Sequence, residues 1–187
     1  FAGIKRKHLL AILMIGAVIT SLGWFLVLKP YQKDRIVSFA NPYLDPRGNG
    51  YNTIQSQITF GSGQWLGTFF SGRSKTPVLV PESYTDFTFA AYAQKFGFVG
   101  VLAMMSLLIA LMLRVGAIGL RTDNNFAKLF SLGFLTILFV HVIVNAGMNM
   151  GVLPITGIPF PLVSHGGSHL VTVMAGLGLL QNIRMRT

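Results

Sequence analysis

The residues best suited to chemistry stand together in Pro81-Glu82-Ser83-Tyr84-Thr85-Asp86-Phe87-Thr88-Phe89. Glu82 and Asp86 are two of only five acidic residues in a chain of formal charge +10. They lie where a long polar segment meets an apolar run with the length of a membrane span. A carboxylate at a water–lipid boundary costs free energy, so it has a task or a partner there. Proton transfer is the chemistry open to it. The alternative is structural: acids favour helix N-termini, and both residues would then cap or flank the helix that follows.

Further polar candidates sit inside apolar segments. His141, Asn145 and Asn149 recur at i, i+4, i+8 and share one helix face. Polar groups within a span face the bundle or a wet cavity. The three therefore either bond neighbouring helices or line a substrate cavity. His165 and His169 have metal-ligand spacing if helical, but no Asp or Glu follows nearby to complete a zinc set. Lys95, two turns into an apolar run, either snorkels back to the surface or points into the protein. Gly61-Ser62-Gly63 offers backbone N–H groups to an anion or makes a plain turn.

These residues are carried by an integral membrane protein. Hydrophobic residues make up 52% of the chain and charged ones 11%, against about 25% charged in soluble domains. Mean hydropathy is +0.60. The apolar residues come in blocks long enough to cross a bilayer, at about 8–28, 87–113, 126–150 and 160–183. The first block outruns a signal-peptide core, and Lys29-Pro30-Tyr31 follows it rather than a cleavage site. The fold class is all-α, with about four transmembrane helices. Pro159, Pro161, Gly166 and Gly167 make the outer half of the fourth span irregular.

Between the first two spans, residues 29–86 hold many prolines and glycines but also Tyr31, Tyr43, Tyr51, Phe60, Trp65, Phe69 and Phe70. That is too aromatic for a solvated linker. It reads as a large structured extracytoplasmic loop, with a short interfacial helix over Gln64–Phe70. Lys5-Arg6-Lys7, the Arg114–Lys128 region and Arg184 with Arg186 put both ends and the short middle turn in the cytoplasm. Zero cysteines exclude disulfides and thiolate chemistry. The basic balance suits anionic headgroups or an anionic lipid substrate, and no solvated basic domain offers itself to nucleic acid.

Many spaced blocks together resemble one family. They are Lys29-Pro30-Tyr31-Gln32, Asn41-Pro42, Asp45-Pro46, Gly50-Tyr51-Asn52, Gln55-Ser56, Gly61-Ser62-Gly63, Pro81-Glu82, Thr85-Asp86-Phe87, Phe96-Gly97-Phe98-Val99-Gly100, Asn145, Leu153-Pro154, and Gly157–Pro161 leading to Ser164 and Gly166-Gly167-Ser168. In this order they resemble the SEDS (shape, elongation, division and sporulation) family of RodA- and FtsW-like proteins. Met148-Asn149-Met150-Gly151 and Thr156-Gly157-Ile158-Pro159 are nearer the RodA pattern. The resemblance covers only the C-terminal part of a bundle of about ten helices.

The resemblance implies a peptidoglycan glycosyltransferase of the bacterial cytoplasmic membrane. It would polymerise lipid II, an undecaprenyl-pyrophosphate-linked substrate, for cell-wall elongation beside a class B penicillin-binding protein. It puts the family's essential aspartate at Asp86, as general base, with Glu82 in support. Arg73, Lys75 and Lys95 are the candidates to receive the departing pyrophosphate, a divalent cation being the alternative. His141, Asn145, Ser164 and His165 are candidates to line the substrate site. A lipid-linked precursor transporter and a non-catalytic scaffold for a penicillin-binding protein are the competing readings. The chain departs from the family pattern where Gln94-Lys95 replaces two acids, in Ser164-His165-Gly166-Gly167, at His169, and over Ser71–Lys75.

Overall fold

The computed structural model describes residues 14–16, 18–19, 21–44, 49–72 and 85–186, and every regular element among them is helical. Residues 8–13, 17 and 20 of the first expected span, together with Glu82, Arg73 and Lys75, lie outside the described residues.

A π-helical turn, Gly23–Val27, leads into α1, Pro30–Ala40. Pro30 opens α1 because its missing N–H would have no intrahelical partner there. The Gln32 side chain accepts the Lys29 N–H at 3.0 Å and closes the start. Asn41 turns extended, Pro42–Leu44 forms a 3₁₀ turn, and α2 follows over Asn49–Ser62. A short α3, Gly67–Ser71, ends at Gly72 in the left-handed region. The described part of the loop is thus a set of helices whose ends fall at or beside its prolines and glycines. The helix expected over Gln64–Phe70 starts only at Gly67. Gln64 (φ 49°) and Gly67 (φ 72°) are left-handed, which bars a helix across them.

The long helix α4, Thr88–Arg121, carries a break at Gly97 (φ 68°, ψ −169°). That break frees backbone donors, and the loop takes them up. Phe98 N–H donates to the Gln64 carbonyl at 2.8 Å and Val99 N–H to the Trp65 carbonyl at 3.2 Å. A Cβ at Gly97 would stand 2.3 Å from the Gly67 nitrogen, and one at Gly67 equally close to the Lys95 carbonyl oxygen. Only glycine permits that backbone-on-backbone contact.

Past Arg114, where the sequence suggested an end, α4 continues to Arg121, and the turn shortens to 122–124. Helix α5, Asn125–Asn149, begins where the Asn124 side chain accepts the Phe126 N–H at 2.9 Å. An irregular stretch precedes α6, Gly167–Arg186. Leu162 is left-handed (φ 64°) and Ser164 closes a turn on Phe160, so the last helix starts after the two prolines.

Among the described residues, α4 and α5 are long and apolar enough to cross a membrane. They leave Leu107, Leu113, Leu120, Phe126 and Leu129 exposed. The buried side of α4 supplies Phe89, Ala93, Val101, Met104 and Leu108 to a core that takes in Phe160, with Val142 and Ala146 of α5 packed against it. Three rings stack across this core: Phe60 on Phe89 at 5.6 Å, and Phe89 on Phe160 at 5.4 Å. They join α2, the start of α4 and the irregular stretch directly beside Asp86.

Candidate active site

Asp86 lies in the turn 85–87, partly buried, immediately ahead of α4. That position puts its carboxylate at the positive end of the helix dipole. Its backbone carbonyl is held from two sides: Asn145 Nδ2 and Asn149 Nδ2 each donate to it at 3.1 Å. Both asparagines are fully buried, at 0% exposure, so these bonds are shielded from competing water.

The two carboxamides do more than grip one oxygen. Asn145 Nδ2 also donates to the Ile158 carbonyl at 2.7 Å, tying the irregular stretch to α5. Asn149 Nδ2 donates to the Asn145 carbonyl (2.8 Å) and side-chain oxygen (3.0 Å). Asn149 Oδ1 accepts the Ala90 N–H at 3.1 Å. That N–H is one of the open donors in the first turn of α4, so Asn149 caps another helix in place of a local residue. Ser56, fully buried on α2, donates its hydroxyl to the Asn149 carbonyl at 3.0 Å. α2, α4 and the irregular stretch are therefore tied to the two α5 asparagines that hold the Asp86 carbonyl.

The carboxylate itself faces Gly157. A Cβ built at Gly157 would stand 3.5 Å from Asp86 Oδ2. Gly157 is left-handed (φ 74°), so glycine both makes the turn and leaves the space beside the carboxylate open. Arg35, on α1, donates from Nη1 to the Ile155 carbonyl at 3.3 Å, two residues along the same stretch.

The other sequence candidates sit as follows. Asn145 belongs to the Asp86 network. His141 meets His169: Nδ1 and Nε2 are 3.0 Å apart and the rings stack at 5.0 Å, joining α5 to α6. His165 is exposed, and it precedes α6, so the i, i+4 helical spacing with His169 does not arise. The buried Ser164 hydroxyl oxygen accepts the Phe160 N–H at 2.8 Å, which steadies the turn below the ring stack. Lys95 is exposed with its ammonium 5.6 Å from the Phe96 ring centroid, on the part of α4 covered by α3. Gln94 donates to the Ser62 hydroxyl at 3.1 Å. Among the described residues no three His, Cys, Asp or Glu side chains gather to hold a metal ion.

Sequence reasoning gave no role to Ser56, Gly157, Arg35 and the Phe60–Phe89–Phe160 stack. Ser56 and Gly157 carried a signal, since both stand in the motif blocks. Arg35 carried none, being one cation among several in the loop.

With this geometry in place, the comparisons with known proteins are specific. Residues 1–187 match a family model described as a cell cycle protein and named for FtsW, RodA and SpoVE. The chain is 41% identical over 174 residues to the peptidoglycan glycosyltransferase MrdB of Escherichia coli K12, covering 92% of this chain and 47% of that protein. It is 40% identical over 161 residues to the peptidoglycan glycosyltransferase RodA of Treponema pallidum, covering 86% of this chain and 37% of that one. A chain solved in a peptidoglycan synthase complex that polymerises and crosslinks superposes with a TM-score of 0.76 at 33% identity. That match takes in 96% of this chain and 49% of the other. The chain spans about half the length of the curated relatives or less.

Proposed function

Because the chain belongs to the FtsW/RodA/SpoVE family of cell cycle proteins, we propose that it is the C-terminal, Asp86-bearing part of a peptidoglycan glycosyltransferase that polymerises lipid II. Two relatives are named as peptidoglycan glycosyltransferases. In this reading the chain contributes four spans and an outer loop to a larger bundle in the bacterial cytoplasmic membrane. Both of its ends are cytoplasmic, and a class B penicillin-binding protein works beside it.

Asp86 takes the proton from the acceptor sugar hydroxyl as that oxygen attacks the anomeric carbon of the donor. The bond from that carbon to the lipid pyrophosphate breaks, and its electron pair leaves with the phosphate. Glu82, Arg73 and Lys75 remain proposed members of the site, supporting the base and the departing anion. Asn145 and Asn149 act as positioning residues, since their amide groups are engaged with backbone and with each other.

The observation that carries this reading is the double clamp on the Asp86 carbonyl, which fixes a partly buried carboxylate over an open glycine. Pre-set geometry is what general-base catalysis requires, and removing such a base lowers rate by about 10²–10⁴-fold. Asp86→Asn in the full-length parent keeps the side chain's size and removes its basicity. Polymerisation of purified lipid II should fall at least about a hundredfold. Intact polymerisation would mean that Asp86 is not the base.

A further inference from the structure

We propose that Arg35 is the cation that receives the donor's pyrophosphate as it departs, an assignment that rests on the glycosyltransferase reading above. Three observations lead there. Arg35 Nη1 donates to the Ile155 carbonyl, across 120 residues of sequence. Two residues further on, Gly157 underlies the Asp86 carboxylate. Two residues of chain reach at most ~7 Å, so the guanidinium and the carboxylate flank one short segment without that segment's side chains filling the gap at Gly157. Arg35 is exposed, and one bond to Ile155 engages only part of a planar fork of about five N–H groups.

The chemistry asks for this separation. The acceptor oxygen and the leaving pyrophosphate lie on opposite sides of the anomeric carbon, so base and cation must stand apart by about the width of a sugar. A cation in contact with Asp86 would instead neutralise it and weaken it as a base. An arginine matches the phosphate oxygens with paired N–H donors, and its charge opposes what develops there as the bond breaks. The Ile155 contact fixes where the fork points. Lys95, the described cation that the sequence put forward, lies over the Phe96 ring on the α3 side of α4.

The test uses the full-length parent, purified, with lipid II as substrate and inorganic pyrophosphate as an added inhibitor. Arg35→Gln is expected to lower kcat/KM about tenfold and to raise the inhibition constant for pyrophosphate by a similar factor, the loss of one charge-assisted contact. Arg35→Lys keeps the charge and loses the fork, so both values should fall between Gln and wild type. A residue that only holds Ile155 in place would lower activity without changing pyrophosphate inhibition, and that outcome overturns the proposal. Wild type insensitive to millimolar pyrophosphate overturns it too, as does Arg35→Lys with wild-type inhibition should the Gln variant fail to fold. Asp86→Asn measured alongside separates the two levels. If the wild-type parent does not polymerise lipid II, the glycosyltransferase reading fails, and if Asp86→Asn still polymerises it, Asp86 is not the base. If Asp86→Asn is inactive while Arg35→Gln keeps wild-type inhibition, only the Arg35 assignment fails.

Discussion

At the residue scale the central fact is how few side chains fix Asp86. Asn149 alone touches the Asp86 carbonyl, the Ala90 N–H and the Ser56 hydroxyl, all within a buried environment. Replacing it by Ala leaves the Ala90 donor without its cap and the Asp86 carbonyl on one amide instead of two. Each buried polar group so exposed costs about 1–3 kcal/mol. Asn149→Ala in the full-length parent should therefore lower the melting midpoint in detergent by several degrees and reduce kcat more than it raises KM. An unchanged melting curve would show that the clamp contributes nothing. The same scale separates neighbours that the sequence grouped together. His141, one turn from Asn145, is engaged with His169 and belongs to the contact between α5 and α6.

At the element scale the break in α4 decides how the loop meets the bundle. Gly97 gives up regular helix geometry, and the Phe98 and Val99 donors go to loop carbonyls instead. Gly97→Ala would put a Cβ 2.6 Å from the Trp65 carbonyl oxygen and 2.3 Å from the Gly67 nitrogen, at a φ that L side chains resist. Neither backbone can retreat without losing the bonds between them. The expected outcome is a protein that accumulates poorly and whose loop is cut rapidly by added protease. Gly133→Ala is the control. Gly133 lies within α5 with no atom within 4 Å of its would-be Cβ, so the exchange should be neutral or stabilise by up to about 1 kcal/mol. Equal behaviour of the two variants would refute the packing argument.

At the scale of the whole molecule, the site depends on three elements from distant parts of the chain staying in register. The Phe60–Phe89–Phe160 stack provides that register, with Phe160 fully buried and Phe89 2% exposed. Truncating such a ring costs about 3–5 kcal/mol, through lost burial and the cavity left behind. Phe160→Ala should lower thermal stability of the full-length parent and reduce lipid II polymerisation, although Phe160 does not touch Asp86 in the hydrogen-bond network. Retention of both would place the register elsewhere. The exposed apolar faces of α4 and α5 belong to this scale as well, since they suit lipid or further helices of the longer relatives.

The sequence by itself determined the helical class, the apolar character of α4 and α5 and the family blocks. Those properties are written in composition, in the length of apolar runs and in short motifs, each readable within a few residues. It also marked Asn145 and Asn149 as polar groups on one face, without their partners. Only the tertiary structure decided that they grip the Asp86 carbonyl, 59 and 63 residues away, that Ser56 meets Asn149 across 93 residues, and that Arg35 reaches Ile155. It likewise decided that the Gly97 break is filled by loop carbonyls and that His169 pairs with His141 rather than with His165. The reason is physical. A buried donor must find an acceptor, but local sequence does not specify which of several distant carbonyls packing will bring within 3 Å.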